Sequence, residues 1–172
     1  MAEEQLSKWK GKESIESASI TAEQVWACLE DFCNAHKWLP NLDTCYLVEG
    51  VPGQPGLVRY CASSKSDGHE VTIRWVKEKL ILMDPIQRWL SYEVTDNNVG
   101  IKSYVATIKV FPINFDNGMK GCRIEWSYVA DPFEGWKFED FASHIDYSLK
   151  FMTKKMEHAS LLMGQNLSTS AT

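Results

Sequence analysis

Between residues 44 and 130 the chain repeats one pattern: a short run rich in β-branched and aromatic residues, then a turn signal. The runs are about Thr44–Glu49, Leu57–Ala62, His69–Leu82, Trp89–Thr95, Ser103–Phe111 and Gly121–Ala130. Turn residues separate them at Pro52-Gly53-Gln54-Pro55-Gly56, Asp67-Gly68, Asp84-Pro85, Asp96-Asn97-Asn98 and Asn117-Gly118. None of these links has room for a crossover helix, so the pattern predicts an antiparallel meander. Alternation assigns the faces. Leu90, Tyr92 and Val94 share one side of their strand; so do Tyr104, Ala106, Ile108 and Val110, and so do Cys122, Ile124, Trp126 and Tyr128. A sheet with one apolar face needs a cover.

The cover is read at the end of the chain. From about Trp136 to Met163 the positions Phe138, Phe141, Ile145, Leu149, Met152, Met156 and Met163 keep helical spacing. A helix of about 28 residues is roughly 40 Å long, enough to cross a curved sheet. Before the meander, a strand is expected over about Leu6 to Ser17. A helix starts near Thr21, which caps it together with Gln24. A second short helix over Phe32 to Trp38 stops at Pro40. Strand, two helices, six strands and a long helix make an α+β chain in helix-grip order. The inward aromatic rows predict an enclosed cavity of ~300 Å³ or more.

The 172 residues suit one domain, read as 1–163 with a disordered polar tail over 164–172. A net charge of −5 argues against a nucleic-acid partner, which asks for a basic footprint. No apolar run approaches a membrane span, and the N-terminus has no apolar segment of a secretion signal. Five cysteines, Cys28, Cys33, Cys45, Cys61 and Cys122, are irregularly spaced, which fits reduced thiols and a cytoplasmic location. The sequence leaves the oligomeric state open.

No metal is expected, because the four histidines lie far apart and no Cys or His pair has zinc spacing. No cofactor is expected either: Gly50, Gly53 and Gly56 precede a strand, not the helix start that a phosphate loop requires. The informative residues are Arg59 and Glu78. Arg59 shares its parity with Leu57 and Cys61, an interior face. Glu78 shares its parity with Val76 and Leu80, whereas Val71, Ile73 and Trp75 take the opposite one, so reconciling the two halves of the strand asks for a bulge or strong curvature. Two charges inside must be paired, and the pair reads either as a structural salt bridge or as a working site. Tyr92 and Tyr104 are inward hydroxyls beside it. Trp126, Phe141, Ile145 and Met152 are the candidate walls of a site for a small hydrophobic molecule with a polar or anionic head.

Several strings reinforce one another. They are Lys8-Trp9-Lys10-Gly11-Lys12, Glu23-Gln24-Val25-Trp26, Asp31-Phe32-x-Asn34-x-His36-Lys37, Cys45-x-Leu47-Val48-Glu49-Gly50, Gly56-x-Val58-Arg59-Tyr60, Lys77-Glu78-Lys79-Leu80, Ser91-Tyr92 and Tyr104-x-Ala106-Thr107. Together they resemble the plant lachrymatory factor synthase-like family, within the Bet v 1/START-like superfamily of polyketide cyclases and lipid transport proteins. The resemblance spans nearly the whole chain and weakens in the last helix. It implies a cofactor-free isomerase that rearranges an alkenyl sulfenic acid to a thial S-oxide, with Arg59 and Glu78 catalytic and Tyr92 and Tyr104 shaping the substrate site. A guanidinium offers directed donors to a sulfenate oxygen, and a carboxylate takes and returns a proton. A non-catalytic carrier is the other class that such a cavity serves. Ser63-Ser64-Lys65-Ser66-Asp67-Gly68 is longer and more polar than the family pattern and is expected as a loop at the pocket mouth. The abscisic acid receptors share the expected fold, but their gate and latch motifs are absent from this sequence.

Overall fold

The computed structural model describes residues 7–169. Strand β1 (Trp9–Ser17) leads to helix α1 (Ala22–Glu30) and a 3₁₀ segment (Phe32–Lys37). The meander follows as β2 (Thr44–Glu49), β3 (Val58–Asp67), β4 (Glu70–Asp84), β5 (Trp89–Asn97), β6 (Tyr104–Asn114) and β7 (Lys120–Ala130), and helix α2 (Phe138–Thr169) ends the described chain. The seven strands form one antiparallel sheet in the order β1-β7-β6-β5-β4-β3-β2, so β1 and β2 are its edges. Consecutive strands pair because every link between them is short. The exception is β1, which docks on the last strand and places α1 and the 3₁₀ segment across the concave face.

The local signals act as their chemistry dictates. The Thr21 hydroxyl accepts from the Gln24 amide at 3.2 Å, and the Gln24 side chain accepts from the Thr21 amide at 2.9 Å. This capping box satisfies two of the free amides at the start of α1. Val25 and Trp26 then turn inward. On α2, Phe141, Ile145, Leu149, Met152 and Met156 are buried against the sheet. Each such side chain contributes on the order of 1.5–3 kcal/mol when fully buried. The inward rows of β5, β6 and β7 meet them: Leu90, Tyr92, Tyr104, Ala106, Ile108, Val110, Cys122, Ile124, Trp126 and Tyr128 are all buried.

Four expectations need correction. The end of β3 is no loop: Ser63 to Asp67 pair with Glu70 to Arg74, and only Gly68 and His69 form the turn. Gly68 has φ +65°, the left-handed conformation that a two-residue hairpin turn needs at its first position. Alternation in β4 is unbroken past that turn. Val71, Ile73 and Trp75 lie on the outer face, with Val71 and Ile73 exposed. The sheet does bulge beside Glu78, but the extra residue is Thr95 of β5; a second irregularity, at Ile81, follows in β4. Helix α2 runs to Thr169, so residues 164–169 of the expected disordered tail are helical, while 170–172, like Leu6 at the start, lie outside the described residues. Met163 is exposed, because α2 has passed the end of its apolar contacts there. Among the described residues no helix is long and apolar enough to cross a membrane.

Candidate functional site

The β3–β4 hairpin sets the first pair. Its two-residue turn places Arg59 directly opposite Glu78, and both side chains point to the concave face, where Arg59 is 6% and Glu78 9% exposed. Arg59 donates from Nε to Oε1 of Glu78 at 2.8 Å, and its Nη2 makes an ion-pair contact with the same oxygen at 2.8 Å. Its Nη1 donates to the Phe32 carbonyl at 2.8 Å. The guanidinium carbon lies 3.8 Å from the Phe32 ring centroid and 5.0 Å from that of Tyr92. Burial is the largest influence and works against the Arg59 charge, but Glu78 together with Cys61, Tyr92 and Cys45 outweighs it and holds the guanidinium above its ordinary value. Of five N–H donors on an arginine, three are engaged. Among the described residues, the remaining two and the Oε2 of Glu78 make no hydrogen bond.

A hydroxyl relay flanks this pair. Tyr92 and Tyr104 stand with their hydroxyls 3.5 Å apart, and Trp126 donates from Nε1 to the Tyr104 hydroxyl at 3.1 Å. Burial raises both phenols, so they are neutral donors throughout the physiological range. Phe141 of α2 closes the far side, edge-on to Tyr104 at 5.8 Å. Ile145 is buried in the same core.

The enclosed space is about 30 Å³, lined by Arg59, Tyr92, Trp126 and Met152 together with Phe32, Leu90, Ile108 and residues of α1 and the 3₁₀ segment. That volume holds about one water. The expected cavity of ~300 Å³ is therefore not open in this conformation. Arg59 and the Phe32 ring stacked on it fill the concave face beside β3, and the 3₁₀ segment that carries Phe32 covers them. Four of the eight candidate residues (Arg59, Tyr92, Trp126 and Met152) line the space; Tyr104, Phe141, Ile145 and Glu78 do not. Glu78 reaches it only through Arg59.

The sequence reading missed Phe32, whose ring and carbonyl hold Arg59, and the thiol of Cys61 beside Glu78 with that of Cys45 next to it. Phe32 carries no periodic signal, because its partners lie 27 residues or more away. Among the described residues no cluster of His, Cys, Asp or Glu is arranged to hold a metal ion.

A curved antiparallel sheet gripping a long C-terminal helix, with polar groups gathered on its concave face, defines a helix-grip domain of the Bet v 1/START-like class. The chain belongs to the polyketide cyclase / dehydrase and lipid transport family, whose model matches residues 8–151. Two solved structures share the fold. XoxI from Bacillus cereus is 24% identical, with a TM-score of 0.67 over 88% of this chain and 95% of that one. An uncharacterised protein from Bacillus thuringiensis is also 24% identical, with a TM-score of 0.66 over 88% and 98%.

Proposed function

We propose that this protein binds a small hydrophobic molecule in the cytoplasm and anchors its polar or anionic head on Arg59. The observation that carries this reading is the pair of unused N–H donors on a buried, permanently charged guanidinium at the wall of the internal space. An oxyanion placed there gains charge-assisted hydrogen bonds away from water. The apolar body would lie between Trp126, Met152 and Leu90. Admitting it requires Phe32 and the 3₁₀ segment to swing away from the sheet, since about 30 Å³ is too little for any organic ligand.

The catalytic form of this reading is proton transfer on a sulfenic acid or a related substrate. Arg59 holds the oxygen, Oε2 of Glu78 takes the O–H proton, and the same oxygen returns it to carbon. Nothing is oxidised or reduced, and no cofactor enters. The unpartnered Oε2 supports this form; the position of Glu78 behind Arg59, off the cavity wall, supports the carrier form.

Titration with a medium-chain acid and its methyl ester tests the binding. The acid should bind at least about tenfold tighter, and Arg59→Leu should abolish the difference. Equal affinity for acid and ester in the unmodified protein defeats the proposal. Freshly generated alkenyl sulfenic acid, with the thial S-oxide as readout, separates enzyme from carrier.

A further inference from the structure

We propose that Cys45 and Cys61 are a peroxide-reactive dithiol that closes into a disulfide between β2 and β3. The two residues are direct partners across the strands, their sulfurs are 3.5 Å apart, and one thiol donates to the other. Directly opposed antiparallel residues have Cα atoms about 4.5–5.5 Å apart, within the ~4.4–6.8 Å span of disulfides. Closure therefore asks for side-chain rotation and little backbone movement.

The surroundings make the two sulfurs unequal. The hydrogen bond from Cys61 brings Cys45 down to about 6 against the effect of burial, helped by Arg59, the Ala35 backbone and the His36 ring. The hydrogen bond to Cys45 and burial push Cys61 up. Cys61 also lies 3.9 Å from Oε1 of Glu78. The two sulfurs share a hydrogen bond, and Cys45, on the edge strand and the more exposed of the two, is the one placed to act as the nucleophile. The other three cysteines are held as thiols: burial pushes Cys28 and Cys122 each up to about 11 and raises Cys33 as well. Access fits a small oxidant. Cys45 sits on an edge strand whose other residues are all exposed, and it belongs to a small apolar cluster with Ala35 and Cys61, packed against the partly buried Leu39, Leu42 and Val76.

The chemistry balances with hydrogen peroxide as oxidant. The Cys45 thiolate attacks one peroxide oxygen, the O–O bond breaks, and the departing hydroxide takes a proton to become water. Cys45 is now a sulfenic acid. Cys61 releases its proton and attacks the Cys45 sulfur; the S–O bond breaks, and a second water leaves with that proton. Two electrons pass from the sulfurs to peroxide. The product clips the edge strand to its neighbour and removes the S–H facing Glu78.

The test is peroxide titration of the reduced full-length protein, then denaturing alkylation, digestion and mass spectrometry. The expected product joins the Cys45 and Cys61 peptides, two hydrogens lighter than their sum, and is reversed by dithiothreitol. Cys28, Cys33 and Cys122 remain alkylated. Cys61→Ala should stop at a Cys45 sulfenic acid that dimedone traps, and Cys45→Ala should leave Cys61 at least about tenfold less reactive. The rate should rise with pH through about 6, with Cys61 and Arg59 of β3, Glu78 of β4 and Cys33 and His36 of the 3₁₀ segment facing the reacting sulfur. Oxidation first at Cys28 or Cys122, a Cys33–Cys45 linkage, or undiminished Cys61 reactivity in Cys45→Ala would each overturn it.

Discussion

Arg59 and Glu78 face each other across β3 and β4, and two guanidinium nitrogens converge on one carboxylate oxygen, Oε1, at 2.8 Å each. That side-on geometry leaves Oε2 without a hydrogen-bond partner among the described residues, and Arg59 lines the internal space.

The pair should behave as a unit in stability. Removing one partner strands a buried charge, so Arg59→Leu and Glu78→Leu should each cost ~3–5 kcal/mol. The double variant should cost less than the sum, with a coupling on the order of 0.5–3 kcal/mol. Urea unfolding of all four proteins measures this, and strict additivity would show that the contact carries no energy.

Activity, if assayed on a sulfenic acid, should separate Glu78 from Tyr92. Glu78→Gln keeps shape and removes basicity, so turnover should fall ~10²–10⁴-fold. Tyr92→Phe removes a hydroxyl whose contact is already long at 3.5 Å, and it should cost far less. Unchanged turnover in Glu78→Gln refutes the Glu78 proton shuttle, whereas no turnover by the unmodified protein leaves only the carrier form.

Within the hydroxyl relay, Tyr104 is the more important member. It accepts from Trp126 and meets Tyr92, so Tyr104→Phe leaves a buried indole N–H unpaired and should cost ~1–3 kcal/mol. Tyr92→Phe should cost less than that. Thermal unfolding of the two variants side by side is the check, and the reverse order contradicts the relay.

Gly11 should resist substitution for a reason of space. It lies opposite Tyr128, and an added Cβ would meet the phenol oxygen at 2.3 Å and Cζ at 2.6 Å. Tyr128 cannot step aside easily, because its ring packs at 90° to Phe141, 5.0 Å away. Gly11→Ala should therefore cost ~1–3 kcal/mol, although glycine-to-alanine in a strand otherwise favours folding. Combining it with Tyr128→Leu should recover part of the loss in chemical denaturation.

Acid should loosen the start of β2. Asp43 accepts from the Ser64 amide at 2.6 Å and its hydroxyl at 2.9 Å, which hold the carboxyl below its ordinary value. A depressed carboxyl means that the unfolded chain binds the proton more readily. The contribution is therefore complete above the unfolded value of ~4 and is lost as pH falls through the lower folded value. The Ser64 amide proton shift should titrate below pH ~4 by NMR and cease to do so in Asp43→Asn.

Much of the candidate site was open to sequence reasoning because it depends on register. A turn centred on Gly68 and His69 makes Arg59 and Glu78 partners by counting outward along both strands. Treating residues 63 to 68 as a loop concealed this, since their polar composition resembles one. Inward placement of Tyr92, Tyr104 and Trp126 followed from period-two alternation, and that of Phe141, Ile145 and Met152 from helical spacing. Such signals are local, and the chain writes them directly.

The sequence by itself determined the order and kind of the elements, the capping of α1, the apolar face of the sheet and the face of α2 that covers it. Those follow from backbone periodicity and turn chemistry, which act over a few residues. Only the tertiary structure decided that the interior is nearly full, that Phe32 clamps Arg59, that Val71 and Ile73 face outward, and that Cys45 meets Cys61. Each of these depends on how the strands and the α1 region settle against one another, a packing outcome between residues distant along the chain that no local pattern encodes.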